Sequence, residues 1–434
     1  MDTDVVIAGA GLAGLTCARH LAGAGLDVRV LEAGDDVGGR VRTDVVDGFR
    51  CDRGFQLLNP AYPAVRDEVD VRRLGLGTFE RGVAVRRDDG LTHLTVSPRA
   101  LAHAAPATVS SITSLVPGPY LRPQSVRELA ALTRWAAPAL GPVSRLLRQR
   151  DTTLRESWDD AGFRGRFRAE VVEPFLAGVV LERDGSTSAN FARLLVRAFA
   201  LGTPGVPAQG MCALPHQLAA PVLESVELGR RVEAVTRETG GVRVDTDSGP
   251  VRARAAVVAC DPATAGELLD IEVPAGRGLT TWWFATDSDP GDRAILHLDG
   301  RSQPGPLVNA AVMTNAAPSY APPGWHLVQA SALTADADLP TEAVLAQVGA
   351  VLGVPTRSWQ LVTRHDIAYA LPSQPPPLRV RRDVALGGGV YVCGDHRDTA
   401  SIQGAIISGR RTARAVAHRL APAAPADSAA RGRA

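Results

Sequence analysis

Val5-Val6-Ile7-Ala8-Gly9-Ala10-Gly11-Leu12-Ala13-Gly14, followed by a helical stretch and then by Val28 to Leu31 closed with Glu32, decides the fold. An apolar run, a GxGxxG turn, a helix and a second apolar run make a βαβ unit. The three glycines serve different ends. Gly9 permits the tight turn, Gly11 lets a pyrophosphate approach the backbone, and Gly14 lets helix pack on strand. The N–H groups of Leu12, Ala13 and Gly14 open the helix and are free to meet phosphate. Glu32, with Ala33 behind it, lies where a carboxylate accepts hydrogen bonds from ribose hydroxyls. Glycines in this spacing also serve ordinary turns; the flanking strands and the acidic residue favour a dinucleotide site.

Working outward, Gly38-Gly39-Arg40 follows six residues after Glu32, then Arg42-Thr43, then Asp52-Arg53-Gly54-Phe55. At the far end, Val390-Tyr391-Val392-Cys393 reads as a buried strand ended by Gly394-Asp395. Ser401-Ile402-Gln403-Gly404-Ala405 then starts a helix with Ile402, Ile406, Ala413, Val416 and Leu420 near one face. Between them, Glu227-Leu228, Arg231 to Val235, Val242 to Val244 and Ala255 to Ala259 read as short strands of a β-meander.

The run from Val5 to Thr43 resembles the fingerprint of the flavin amine oxidase, protoporphyrinogen oxidase and phytoene desaturase superfamily, and the three segments stand in that superfamily's order. The resemblance implies an α/β architecture: a discontinuous Rossmann-type FAD-binding domain (1–75, 205–275 and 380–420) plus an α+β substrate domain (76–204 and 276–379); the tail over 421–434, rich in Ala and Pro, is expected to be disordered. It implies noncovalent FAD, because 398–405 lacks the cysteine that monoamine-oxidase-like members use. The implied cofactor residues are Gly9, Gly11, Leu12, Ala13, Gly14, Glu32, Ala33, Gly38, Gly39, Arg40, Arg42, Gly54, Phe55, Val232, Gly394, Asp395, Ser401, Gln403, Gly404 and Ala405. Of these, Asp395 would bind the ribityl and pyrophosphate region, Val232 the adenine through its backbone, and the helix start near Gln403 the flavin pyrimidine. Gly54-Phe55-Gln56 departs from the superfamily's commoner Gly-Gly.

In the substrate domain, Val83 to Arg86 and Leu94 to Val96 read as a β pair ahead of short helices broken by Pro117, Pro119, Pro123 and Pro138. Strands are expected over 280–285, 294–298, 307–313 and 326–331, and a helix over 341–352. Pocket candidates are Phe55, Gln56, Trp283, Tyr369 and Pro372; for the aromatics core packing competes with substrate contact. No catalytic residue beyond the flavin is singled out. His396 is expected to line the phosphates or face solvent.

The chain of 434 residues is 45% hydrophobic, enough for two cores. A net charge of +1 argues against nucleic acid as a partner. The 5 cysteines show no CxxC pair and suit a reducing compartment, so the cytoplasm is the default. No metal-binding spacing occurs among the 9 histidines. A first strand beginning almost at Met1 leaves no room for a signal peptide, and no apolar run has the length of a membrane span. Residues 101–147 read either as an amphipathic surface touching lipid or as helix packed on its own domain.

All 47 basic residues are arginine. Many amine oxidases of the superfamily place a lysine near the flavin, and arginine does not lose its proton when buried as lysine does. The expectation is therefore a dehydrogenase or desaturase that takes a hydride from a C–H bond of an apolar small molecule, isoprenoid or tetrapyrrole in type, and passes electrons to oxygen or a quinone. Two alternatives stand: a lysine-independent flavin amine oxidase, and a non-catalytic prenyl- or lipid-binding protein of the same fold.

Overall fold

The computed structural model describes residues 1–95 and 123–421. Residues 96–122, with the expected strand end at Val96 and the prolines Pro117 and Pro119, and the tail 422–434 lie outside the described residues.

Two sheets organise the chain. The first is centred on the opening strand Thr3–Ala8, which pairs in parallel with Val28–Leu31 on one side and Val251–Val258 on the other. Val226–Glu227 extends it beyond Val28–Leu31. Strand Val251–Val258 is shared on its outer side: its first half pairs with antiparallel Gly241–Thr246, and its second half with parallel Val390–Val392. The last strand of the chain thus lies one strand away from the first. Near-continuous Val, Ile and Ala suit a parallel sheet covered on both faces, and Val5, Ile7, Val30, Val257 and Val392 are fully buried.

The opening helix Leu12–Gly23 and the closing helix Ile402–Leu420 pack together. A Cβ on Gly409 would lie 2.2 Å from the carbonyl oxygen of Ala13, so only glycine allows this crossing. Ile406, Ala413, Val416 and Leu420 bury the inner face of the closing helix in the same core as Leu15, Cys17 and Leu21.

The second sheet runs in the order Gln360–Pro372, Gly276–Thr286, His326–Leu333, Leu307–Val312, Leu296–Asp299, Gly82–Arg87, Gly90–Thr95. Its outer face carries Trp282, Phe284, Val328 and Ala330 under helix Thr341–Leu352, which contributes Val344, Val348 and Leu352. Its inner face carries Trp283, Ala285, Ala311 and Leu327, which belong to one core with the opening helix. Leu279 and Leu333, on the same face, meet Ala177 at helix Glu173–Val180.

Three features differ from the sequence expectations. Gln360–Pro372, not anticipated as a strand, forms the edge of the second sheet. Pro138 does not break a helix but sits inside Pro123–Leu140, in its last turn, where its ring displaces only one hydrogen bond. The strand Val251–Val258 does more than close a meander, because its second half joins the parallel sheet. No helix among the described residues is long and apolar enough to cross a membrane.

Candidate functional site

The three glycines of the opening turn have different surroundings. Gly9 has φ +106°, and a Cβ there would lie 2.9 Å from the Ala259 carbonyl oxygen. A Cβ on Gly14 would lie 2.0 Å from the Gly9 carbonyl oxygen. Gly11 differs: a Cβ there would meet nothing within 4 Å. Two of the glycines are thus demanded by the fold, and the third opens space before a helix start that has no side-chain cap. The second glycine pair closes on this space. Gly38 donates its N–H to the Ala10 carbonyl at 2.8 Å, and a Cβ on Gly39 would come within 3.4 Å of the Gly11 Cα.

Glu32 ties the turns together. Its Oε2 accepts from the Ala10 N–H at 2.7 Å and its Oε1 from the Gly34 N–H at 2.8 Å. Each oxygen keeps a second acceptor direction. The Glu32 carbonyl accepts from the Arg230 N–H at 2.8 Å, which brings the stretch leading to Val232 alongside; Val232 begins its strand at a register shift. Ala33 is exposed. Arg42 is engaged by Asp35 at 2.8 Å. Glu32→Ala is expected to weaken FAD at least tenfold on flavin titration, since unmade buried hydrogen bonds cost about 1–3 kcal/mol each; an unchanged affinity would show this carboxylate has no part in the site.

Arg40 is the point where both sheets and both chain ends meet. Its Nη2 donates to Asp395 Oδ1 at 2.6 Å and its Nη1 to the Ala370 carbonyl at 2.8 Å. Its guanidinium lies 5.9 Å from the Tyr369 ring centroid. Asp395 is 5% open and the Arg40 side chain 32% open, so the pair is buried on the carboxylate side and reached by solvent on the guanidinium side. Burial works against the Arg40 charge and the Asp395 carboxylate more than offsets that, holding its pKa above the usual arginine value. Burial pushes the Tyr369 phenol up to about 12, and it donates to the Pro274 carbonyl at 2.9 Å.

The unanticipated edge strand aligns His365, Ile367 and Tyr369 along this junction. His365 Nε2 lies 2.9 Å from Asp44 Oδ2, and Ile367 would be 3.0 Å from a Cβ on Gly54, which has φ +92°. Phe55 packs edge-on against Phe79 at 6.2 Å. Gln56 donates from Nε2 to the carbonyls of Arg40 at 2.7 Å and Arg53 at 3.1 Å, while its Oε1 is buried without a partner. Pro372 is buried at the strand end, and Trp283 is fully buried in the core rather than on an open wall.

At the closing end, Gly394 (φ +149°) donates its N–H to Ser408 Oγ at 3.0 Å. Ser401 caps the helix, accepting from the Gly404 N–H at 3.1 Å. Gly404 is required because a Cβ would lie 1.9 Å from the Thr399 carbonyl. Ala405 is half-buried in the first turn. The Gln403 side chain serves another helix start, its Oε1 accepting from the Ala64 N–H at 2.9 Å. His396 does not face solvent: it is 1% exposed, with both ring nitrogens unpartnered, and burial pushes its pKa down to about 4.

Sequence reasoning missed the role of Asp52. This carboxylate is 1% exposed and accepts from Thr43 Oγ1 at 2.5 Å, the Met211 N–H at 2.9 Å and the Tyr320 hydroxyl at 2.8 Å. It joins three separated stretches of chain beneath the Gly54 turn. Burial raises its pKa to about 6, against the lowering effect of those bonds. The folded state therefore holds this proton more tightly than the unfolded chain, so the contribution of Asp52 to stability is fully present below pH 4 and is lost as pH rises through 6. The difference is about 3 kcal/mol at most. Asp52→Asn is expected to make the melting temperature rise more, or fall less, than that of wild type between pH 4 and 7; a mutant with the wild-type pH dependence would contradict the assignment.

The residues fit a flavin dinucleotide: a roomy glycine turn at a helix start, an oriented carboxylate, and unpartnered polar atoms on Gln56, whose amide holds the Arg40 carbonyl, and on His396, next to Asp395 in the chain. Cavities of 430 Å³ beside Arg19 and Glu68 and of 210 Å³ beside Trp158 and Glu182 are lined by none of these residues.

Comparison with known proteins bears on this geometry. The family model described as flavin containing amine oxidoreductase matches residues 12–417. A putrescine oxidase of Kocuria rosea is 38% identical over 143 residues, which are 32% of this chain and 28% of that protein, so the match spans under a third of the relative. Among solved structures, a candidate protoporphyrinogen oxidase of Exiguobacterium sp. 255-15 aligns with TM-score 0.70 and 19% identity over 96% of this chain and 99% of that one. Cyclohexylamine oxidase of Brevibacterium oxydans aligns with TM-score 0.66 and 17% identity over 97% and 100%. At these identities the structures establish a shared fold.

Proposed function

We propose that this chain, which belongs to the flavin containing amine oxidoreductase family, is an FAD-dependent oxidoreductase that removes a hydride from a C–H bond of an apolar small molecule. One observation carries the substrate class. The side chains beside Gly54 are hydrocarbon: Leu279 and Ile367 form one cluster with Ala370, Leu371, Ala177, Leu181, Val308 and Leu333. The carboxylates of Asp395 and Asp44 are already paired, Asp395 with Arg40 and Asp44 with Arg53 and His365, so neither is free to take a cationic amine.

FAD, bound noncovalently, supplies the hydride acceptor. Leu12, Ala13 and Gly14 would present backbone N–H groups to its pyrophosphate, and Glu32 would accept from its ribose. Arg40 and Asp395 would hold its ribityl region, each fixing the other. The start of helix Ile402–Leu420 favours negative charge placed before it, by about 0.3–1 kcal/mol when exposed and up to about 2 when partly buried. The apolar cluster excludes water and orients the donor C–H; such positioning contributes about 7–11 kcal/mol, more than the about 3–5 expected from one general base. A lysine-free chain can therefore carry out this chemistry.

A second reading is a flavin amine oxidase that works without lysine, favoured by the similarity to putrescine oxidase. The non-catalytic lipid-binding reading has less support, since the glycine turns, Glu32 and the Arg40–Asp395 pair are all in place. Electrons would pass to oxygen or a quinone, and a peripheral membrane contact remains part of the proposal for an apolar substrate. Anaerobic mixing with isoprenoids, porphyrinogens and amines, watched for loss of the yellow absorbance, decides among these. Bleaching by the apolar compounds supports the proposal, bleaching by amines alone transfers it to the second reading, and bleaching by neither class overturns both.

A further inference from the structure

The Gln56 side chain is held at one end and unsatisfied at the other. Its Nε2 donates to two backbone carbonyls, Arg40 at 2.7 Å and Arg53 at 3.1 Å. That pairing fixes the amide's orientation, because turning it over would set its oxygen against both carbonyls. Oε1 consequently points away from them, buried and without a partner. A buried acceptor left unmade costs about 1–3 kcal/mol, and native proteins seldom leave one so without a ligand or water to meet it.

The surroundings define what would meet it. Arg40, whose carbonyl anchors Gln56, is also the residue whose guanidinium grips Asp395 and the Ala370 carbonyl. Two residues earlier, a Cβ on Gly54 would lie 3.0 Å from Ile367 and 3.7 Å from Leu279 of the apolar wall. Gln56 thus stands where the cofactor-binding junction meets the hydrocarbon cluster. An amide oxygen in that position, next to the paired Arg40 and the hydrocarbon cluster, is met by an N–H donor carried on an apolar ring without a further charge being brought in. The isoalloxazine ring has such donors: N3–H in both redox states and N5–H only after reduction.

We infer that Gln56 accepts, through Oε1, a hydrogen bond from an N–H of the bound isoalloxazine. This rests on the FAD reading of the site. Arg40 and Arg53 position Gln56 through their carbonyls, so the acceptor is set before the cofactor arrives. An N3–H contact would add affinity equally in both redox states. An N5–H contact would favour the reduced state and raise the midpoint potential.

The test uses the whole protein reconstituted with ¹⁵N-labelled FAD, wild type against Gln56→Leu and Gln56→Glu. Gln56→Leu is expected to bind FAD about tenfold more weakly and to move one ¹⁵N resonance upfield: N3 in the oxidised protein, or N5 in the reduced protein together with a more negative midpoint potential. Gln56→Glu loses both anchoring donor bonds but keeps an acceptor, so that resonance stays at or downfield of its wild-type position. A role limited to bracing the backbone would lower affinity in both variants and leave both resonances in place. Unchanged N3 and N5 resonances in Gln56→Leu overturn the inference while leaving FAD binding intact. A wild-type protein that takes up no FAD overturns the inference and the proposed function together.

Discussion

Asp395→Ala is expected to lose about 3 kcal/mol of folding stability and to bind FAD at least a hundredfold more weakly than wild type. Removing one partner of a buried ion pair leaves the other charge uncompensated, which costs about 3–5 kcal/mol. The low end applies because 32% of the Arg40 side chain is open. Arg40 would retain only the Ala370 carbonyl and the Tyr369 ring face. The pair also joins the first glycine-rich segment to the last strand, so its loss loosens both cofactor-binding ends at once. Adding Arg40→Met to Asp395→Ala should restore most of the stability, because no charge is then stranded, yet restore none of the affinity. Denaturant unfolding and flavin titration of the two single mutants and the double mutant separate these effects. Equal stability of Asp395→Ala and wild type would mean that the pair is a surface contact.

The opening glycines provide the second large effect, through a contrast within one motif. Gly14→Ala puts a methyl group 2.0 Å from the Gly9 carbonyl oxygen, a backbone atom that cannot turn aside. The helix must shift off the turn, so unfolding or a loss of several kcal/mol is expected. Gly11→Ala is the opposite case. The helix N-cap there has φ −73°, an angle any residue adopts, and the new methyl meets no protein atom within 4 Å. That protein should fold with the wild-type melting temperature and fail to retain FAD, because the methyl occupies the space a pyrophosphate needs. Melting curves with and without added FAD measure both. A Gly11→Ala protein that binds FAD normally would place the phosphates elsewhere.

What the sequence could and could not disclose follows from where each signal resides. The opening βαβ unit, the closing strand and helix, and helix Thr341–Leu352 are local patterns, visible as apolar runs, periodicity and glycine spacing. The edge strand Gln360–Pro372 was not visible. It carries Arg364, His365 and Asp366 at its centre and is largely half-buried or exposed, which reads as a loop. Pairing along Gly276–Thr286 is what makes it a strand. The Ala370 carbonyl that holds Arg40 has no side-chain signature at all. Asp52 looked like one member of a turn motif, and only the distant Tyr320 and Met211 disclose its part as a knot. Gln403 falls at the helix start the pattern indicates, but its side chain points to Ala64, a contact across 339 positions that no local pattern encodes. Trp283 is on the anticipated strand, and the core that the inner face of the second sheet shares with the opening helix keeps it buried.

If the two ends of the chain close around one flavin nucleotide, each folded chain must carry one. Acid precipitation of the purified, FAD-equilibrated protein, with the released flavin counted against protein, tests this most directly. One FAD per chain, lost in Gly11→Ala while that protein stays folded, is the expected result. A folded wild-type protein that is colourless and takes up no FAD would contradict the account.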